Sequence, residues 1–165
     1  MNCRTMKLST PVGEIFLAAN EKAIVALLWK REDLERIGIG TVTQSAESPT
    51  HPILKLAAKQ LKEYFAGTRQ EFNLPLELQG TPFQKRIWKE LRKIPFGKTW
   101  SYQDLARRVD NPLAVRAVGT ANGRNPICIL IPCHRVVRLS GELGGYAGGM
   151  ENKALLLDLE KRHSP

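Results

Sequence analysis

Apolar and polar positions divide the chain into two differently patterned halves. Residues 6–30 alternate apolar and polar around two turn signals, Thr10-Pro11-Val12-Gly13 and Asn20-Glu21-Lys22. Alternation with a period of two predicts two or three strands, with Ile15, Leu17 and Ile24–Trp29 as their cores. Residues 38–50, rich in Gly, Ser and Thr, read as a loop. From Pro52 to Ala66 the period changes. Leu54, Ala57/Ala58, Leu61 and Phe65 recur at helical spacing, and Gly67 suits the end of a helix. Residues 68–80, with Leu74-Pro75-Leu76, read as an extended linker.

The second half predicts helices with firm punctuation. Thr81-Pro82-Phe83-Gln84 combines a capping residue, a first-turn proline and a capping-box glutamine. Phe83, Ile87, Leu91 and Ile94 then share one face, and Pro95-Phe96-Gly97 stops the helix. Ser101-Tyr102-Gln103-Asp104 opens another helix, running through Val109. Asp110-Asn111-Pro112 reads as a turn that caps a third, with Pro112 at its first position and its end at Asn122-Gly123. Two short helices across a tight turn suggest a helix-turn-helix, although an ordinary helical hairpin has the same pattern. Ile127–Ile131 is a short apolar run, read as a buried strand or extended segment. In the last helix, Leu155, Leu156 and Leu159 are expected to form the buried stripe. The whole predicts an α+β protein. A small mixed α/β domain with a short antiparallel sheet spans residues 1–75, and a mostly helical domain spans residues 76–165.

Charge changes this picture, because it is unevenly placed. The net charge is +9. Residues 81–140 hold 12 Lys and Arg against three Asp and Glu, while the other 105 residues hold 13 of each. A focused basic surface attracts polyanions by counterion release, which favours DNA over a merely solvated face. The third helix nevertheless carries one charge, Arg116, among small residues. Readers of the major groove present several Arg, Gln or Asn side chains. This helix fits close approach to a narrow groove with one inserted arginine, a mode with little sequence dependence. No window approaches 18 apolar residues, and Met1-Asn2-Cys3-Arg4 lacks a signal-peptide core. The three cysteines, Cys3, Cys128 and Cys133, make no disulfide framework and point to a reducing compartment, the cytoplasm by default.

The most informative stretch is Ile131-Pro132-Cys133-His134-Arg135-Val136-Val137. Cys133 can be a buried structural thiol, a metal ligand or a nucleophile. A metal site is poorly supplied, with only His51, His134 and His163 and no Cys-x-x-Cys pair. A free thiol has a pKa of about 8.5, and basic neighbours enlarge the reactive thiolate fraction. A nucleophile also needs a group to orient its histidine, and Glu160, at the edge of the leucine stripe, is the candidate. Gly141–Gly149 is rich enough in glycine for backbone to approach a ligand closely, or to be only a flexible connector.

These blocks, with Asn125-Pro126, Ser101-Tyr102, Arg116-Ala117-Val118-Gly119 and Gly145-Tyr146-Ala147-Gly148-Gly149, resemble the O6-alkylguanine-DNA alkyltransferases in order and spacing. The resemblance is specific over residues 81–160 and looser over residues 6–75. It implies single-turnover repair: Cys133 accepts the alkyl group of O6-alkylguanine, or of O4-alkylthymine, irreversibly. It implies that His134 takes the thiol proton through a water, that Glu160 orients the histidine, and that Tyr102 donates to the departing guanine. Asn125 would order the active-site turn. Ser101, Arg116, Ala117, Thr120, Asn122 and Arg135 would contact DNA, with Arg116 replacing the extruded base. Cys128, Val136, Tyr146, Ala147 and Gly148 would line the base pocket. The implied partner is double-stranded DNA with an alkylated base, bound through the minor groove without sequence specificity by a monomer. No cofactor or metal is implied. Some relatives hold zinc in the N-terminal domain, but here only Cys3 and His51 are available. Ala147 stands where many relatives carry a hydroxyl, and Cys128 where some carry proline. A lesion-binding or alkylation-sensing protein without turnover is the alternative, disfavoured by Cys133 itself. A thiol hydrolase would leave the basic segment unexplained.

Overall fold

The computed structural model describes residues 3–30, 32–33 and 50–165, which form parts of two compact units, Met1–Gln79 and Gly80–Pro165. The loop expected at residues 38–50 lies outside the described residues, Thr50 excepted.

In the first unit β1 (Arg4–Thr10), β2 (Gly13–Ala19) and β3 (Ile24–Leu28) form an antiparallel sheet in that order. β1 buries only Thr5 and Leu8, whereas β3 is buried throughout. The β1–β2 turn is closed by Thr10, whose hydroxyl donates to the Gly13 carbonyl at 2.6 Å. Helix α1 (Pro52–Phe65) lays Leu54, Ala57, Ala58, Leu61 and Tyr64 against β1 and β2, so the 3.6-residue period becomes a core face. Leu74-Pro75-Leu76 is not the free linker that its composition suggests. Leu76 bridges Ile24 in parallel: the Ile24 N–H donates to Pro75 O at 2.8 Å and the Glu77 N–H to Ile24 O at 2.9 Å. These bonds satisfy a sheet edge, and the unit runs to Gln79.

The second unit opens with α2 (Pro82–Leu91), whose capping box between Thr81 and Gln84 is complete. Its indole at Trp88 is buried and donates to Ala121 O at 2.9 Å, fastening α2 to α4. Strand β4 (Trp100–Ser101) leads into α3 (Tyr102–Arg108), capped reciprocally by Ser101 and Asp104. Helix α4 (Val115–Gly123) packs on α2 and α3. It starts three residues later than Pro112 led us to expect, with Ala114 before it and no side-chain cap, because Asp110 turns into positive φ and residues 112–113 form a separate turn. A 3-10 turn (Cys133–Arg135) follows, then β5 (Val136–Val137), paired in parallel with β4, and α5 (Met150–His163).

Two further expectations change. Ile127–Ile131 is a tight buried turn rather than a strand, with Cys128 bridging Ile131 and Ile129 at φ +70°. Positive φ in a β-branched residue is strained by about 1–3 kcal/mol, and it stands three residues before Pro132. On α5 the leucine stripe is not the buried face. Leu155 is exposed and Leu159 half-buried, while Lys153, Leu156 and Glu160 point inward. No helix among the described residues is long and apolar enough to cross a membrane.

Candidate active site

Cys133 begins the 3-10 turn and is 3% exposed. Three asparagine-ordered bonds set its place. Asn125 donates through Nδ2 to Ile131 O at 2.8 Å and accepts from the Ile127 N–H at 3.0 Å, closing the turn before Pro132. Asn122 donates from Nδ2 to Cys133 O at 3.4 Å. The thiol is held below its ordinary value, chiefly by a hydrogen bond from the Cys128 thiol, with help from Asn125 and the nearby Lys153 charge, all against the opposing effect of burial. Cys128 itself is fully buried, with its sulfur 3.5 Å from Asn125 O.

His134 and Glu160 are 0% and 1% exposed and 2.7 Å apart, Nε2 to Oε2. Burial alone would raise the Glu160 carboxyl. Bonds from His134 and Arg135 outweigh burial and hold it at about 2. Glu160 is therefore ionised and can only accept, so His134 carries its proton on Nε2. The basic lone pair is left on Nδ1, which is buried and has no hydrogen-bond partner among the described residues. Burial pushes His134 below its ordinary value, so the ring is neutral near pH 7. A neutral, oriented imidazole with an unoccupied Nδ1 is fit to receive a proton.

Arg135 was expected on DNA, but its guanidinium is spent inside. Nε donates to Glu160 Oε1 at 2.7 Å, Nη2 to Oε2 at 3.1 Å and Nη1 to Ile94 O at 2.7 Å. The fork geometry of guanidinium matches the carboxylate, and only full pairing makes its burial tolerable. Asn122 and Ser101, also expected on DNA, have their side chains turned inward as well. Both are buried, Asn122 turned toward the Cys133 carbonyl and Ser101 occupied in the α3 cap. Arg116, Ala117 and Thr120 do lie exposed together on α4. With Phe83, Gln84 and Leu113 they line an open, largely apolar groove of about 580 Å³.

The residues expected to line the base pocket come from several segments. Tyr102 is half-buried, and its phenol is raised by burial and by the nearby Cys133. Gly144 sits at φ +74°, and a Cβ there would lie 2.9 Å from the Tyr102 hydroxyl, so glycine is needed both for conformation and for space. Tyr146 meets the His134 ring edge-on, centroids 6.4 Å apart. Val136 is buried; Ala147 is exposed; Gly148 O accepts from Asn152 Nδ2 at 2.8 Å. Residue-type reasoning missed Lys153, which is fully buried. Its signal was geometric: once Glu160 faces inward, position 153, seven residues earlier, shares its face. Among the described residues no group of three His, Cys, Asp or Glu side chains gathers to hold a metal ion.

Fold and site together define a protein that pairs a small α/β unit with a helical unit holding a buried, activated thiol. Two family models match it. Residues 3–78 match the 6-O-methylguanine DNA methyltransferase ribonuclease-like domain, and residues 82–162 the DNA binding domain of the same family. Similar curated proteins include the constitutive methylated-DNA–protein-cysteine methyltransferase of Bacillus subtilis, 46% identical over 92% of both chains. That of Methanosarcina barkeri is 42% identical over 94% of this chain and 96% of its own. The crystal structure of Mycobacterium tuberculosis O6-methylguanine methyltransferase matches with TM-score 0.85 at 38% identity, covering 99% of this chain and 95% of the other. The M. tuberculosis OGT in complex with DNA matches with TM-score 0.84 at 40% identity, covering 98% and 95%. The chain belongs to the 6-O-methylguanine DNA methyltransferase family.

Proposed function

We propose that this protein repairs DNA by moving the alkyl group of O6-alkylguanine irreversibly onto Cys133, once per molecule. The observation that carries this is the buried Cys133 turn braced by the His134–Glu160–Arg135 array. The alkyl carbon is inaccessible within a duplex, so the base leaves the stack at a cost of about a few kcal/mol, less for a poorly paired lesion. The exposed α4 face, with Arg116, Ala117 and Thr120, enters the minor groove, and Arg116 fills the space of the extruded base. Small side chains permit the approach, and readout there is largely independent of sequence. The protein acts as a monomer in the reducing cytoplasm, where its three free thiols persist.

In the pocket His134 Nδ1 receives the thiol proton, relayed by a water, and the thiolate attacks the alkyl carbon in line. An S–C bond forms and the C–O6 bond breaks with its electron pair passing to the guanine. Tyr102 donates a hydrogen bond to that developing charge, and a proton completes the guanine. The thioether has no leaving group that the protein can displace, so the acceptor is consumed. O4-alkylthymine presents the same carbon–oxygen bond and is a second substrate.

Intact-mass analysis after mixing with DNA carrying O6-methylguanine tests the reading. One methyl is gained, on the Cys133 peptide, and none in Cys133→Ser. Wild-type protein with no gain, or with more than one equivalent processed, overturns it. Arg116→Ala is expected to weaken duplex binding and slow transfer by about tenfold or more. Unchanged values would remove Arg116 from the DNA contact.

A further inference from the structure

We propose that Lys153 is a positioning residue for alkyl transfer, its buried ammonium pinning the Gly-rich segment 141–149 to the strand that follows the Cys133 turn. Nζ donates to Val136 O at 2.6 Å, to Leu143 O, and to Gly145 O at 3.4 Å. Val136 belongs to β5, directly after the turn; Leu143 and Gly145 flank Gly144, the residue pressed against the Tyr102 hydroxyl. One cation thus gathers three carbonyls from β5 and the Gly-rich segment, and its charge reaches Cys133. It has no ion pair with a carboxylate among the described residues. The groups that feel its charge are Cys133, whose thiolate favours it, Arg138, which opposes it, and His134. A lone buried ammonium is costly, and a purely structural tie between these loops needs only neutral donors. A cation here does two things at once: it saturates three carbonyls and leaves positive potential on the thiolate.

This rests on the alkyl-transfer reading, so the wild-type methyl gain is measured first. If that gain is absent, the reading itself has failed. Given the gain, single-turnover transfer is followed against DNA concentration for wild type and Lys153→Met, alongside amide exchange and thermal melting. A misplacement of about 1 Å costs on the order of 100-fold in rate. Lys153→Met is expected to lose roughly that from the saturating rate. Half-saturation by DNA should stay within about twofold, because the α4 face is untouched. Exchange should rise at residues 143–148 and not in α2 or α4, and ethylammonium should restore part of the rate to a Lys153→Ala variant. A rate within threefold of wild type, or a general rise in exchange with no rescue, overturns the proposal.

Should both variants fail to fold, the wild type decides. Burial holds Lys153 at about 8, so its charge and its grip on the carbonyls are present below that pH and lost above it. The saturating rate is expected to fall above about pH 8 as exchange at residues 143–148 rises, although more alkaline solution favours thiolates. A rate that only rises or stays level from pH 7 to 9.5 overturns the proposal.

Discussion

Helices α1 and α5 are each 14 residues long, and each presents one face to the interior of its own unit. α1 buries Leu54, Ala57, Ala58, Leu61 and Tyr64, with Gln60 as its one buried amide. α5 buries Lys153, Leu156 and Glu160 and leaves Leu155 in solvent. Burial of apolar surface contributes roughly 25 cal/mol per Å², and α1 collects that in full. α5 forgoes much of it, and its two buried charges are tolerated only because each is saturated with hydrogen bonds. The difference separates a helix that holds a fold together from one that holds a reaction together. It implies that damage to α1 lowers stability alone, whereas damage to the inner face of α5 lowers stability and chemistry together.

The largest expected effect comes from Glu160→Ala. It strands the Arg135 guanidinium in the interior and frees the His134 ring, so unfolding free energy should drop by about 3–5 kcal/mol. The transfer rate of the molecules that remain folded should fall at least about 100-fold, read by denaturant melts and single-turnover kinetics on the same preparation. A stability loss with an unchanged rate would make α5 a second α1. The counterpart is Leu61→Ala. It opens a cavity beneath the sheet and costs about 2–5 kcal/mol, with transfer by the folded fraction unaltered. A slowed rate there would mean that the first unit tunes the site.

The same contrast explains what could be read from the chain. α1 was legible because its period, its entry at Pro52 and its exit at Gly67 agree with one another. Cys133, His134 and Glu160 were legible because thiol chemistry needs those types, and the structure brings His134 and Glu160 within 2.7 Å. Arg135 and Asn122 misled because polar residues in a basic segment are ordinarily at the surface. Only a buried carboxylate and a backbone carbonyl, supplied from 25 and 11 residues away, turn them inward. β4 and β5, two residues each, are too short to leave a period at all. Lys153 was hidden for a similar reason. Its partners are backbone carbonyls, which carry no residue identity.

Acid titration sharpens the comparison further. Glu160 is held at about 2 against an ordinary 4.5, a difference worth about 3 kcal/mol. Its native value is depressed, so the stabilisation is full above pH 4.5 or so, and is lost as pH falls toward 2. His134 is also depressed, by burial, so the unfolded chain takes up its proton first and stability already declines below about 6.5. α1 contributes no buried carboxylate. A Glu160→Gln variant should therefore start less stable at pH 7 but lose less than wild type between pH 5 and 2.5, by chemical denaturation at each pH. Parallel curves for the two proteins would show that Glu160 titrates normally and that the array is looser than its distances imply.

The smallest effect is the most pointed. Leu155 is the residue that an apolar stripe would place in the core, the equivalent of Leu61 in α1. It is 45% exposed, while Lys153 and Leu156 on either side are buried. Surface substitutions away from special features stay within about 0.5 kcal/mol. Leu155→Gln replaces a side chain already in contact with water by a good helix former, so a melt should shift by no more than that, and methyl transfer should not change. Leu61→Gln, the matched change in α1, buries an amide with no partner and should destabilise by several kcal/mol. The pair of melts tests the orientation of α5 directly. A large loss at Leu155 would rotate the helix back to its leucine stripe, and would carry Lys153 and Glu160 out of the site with it.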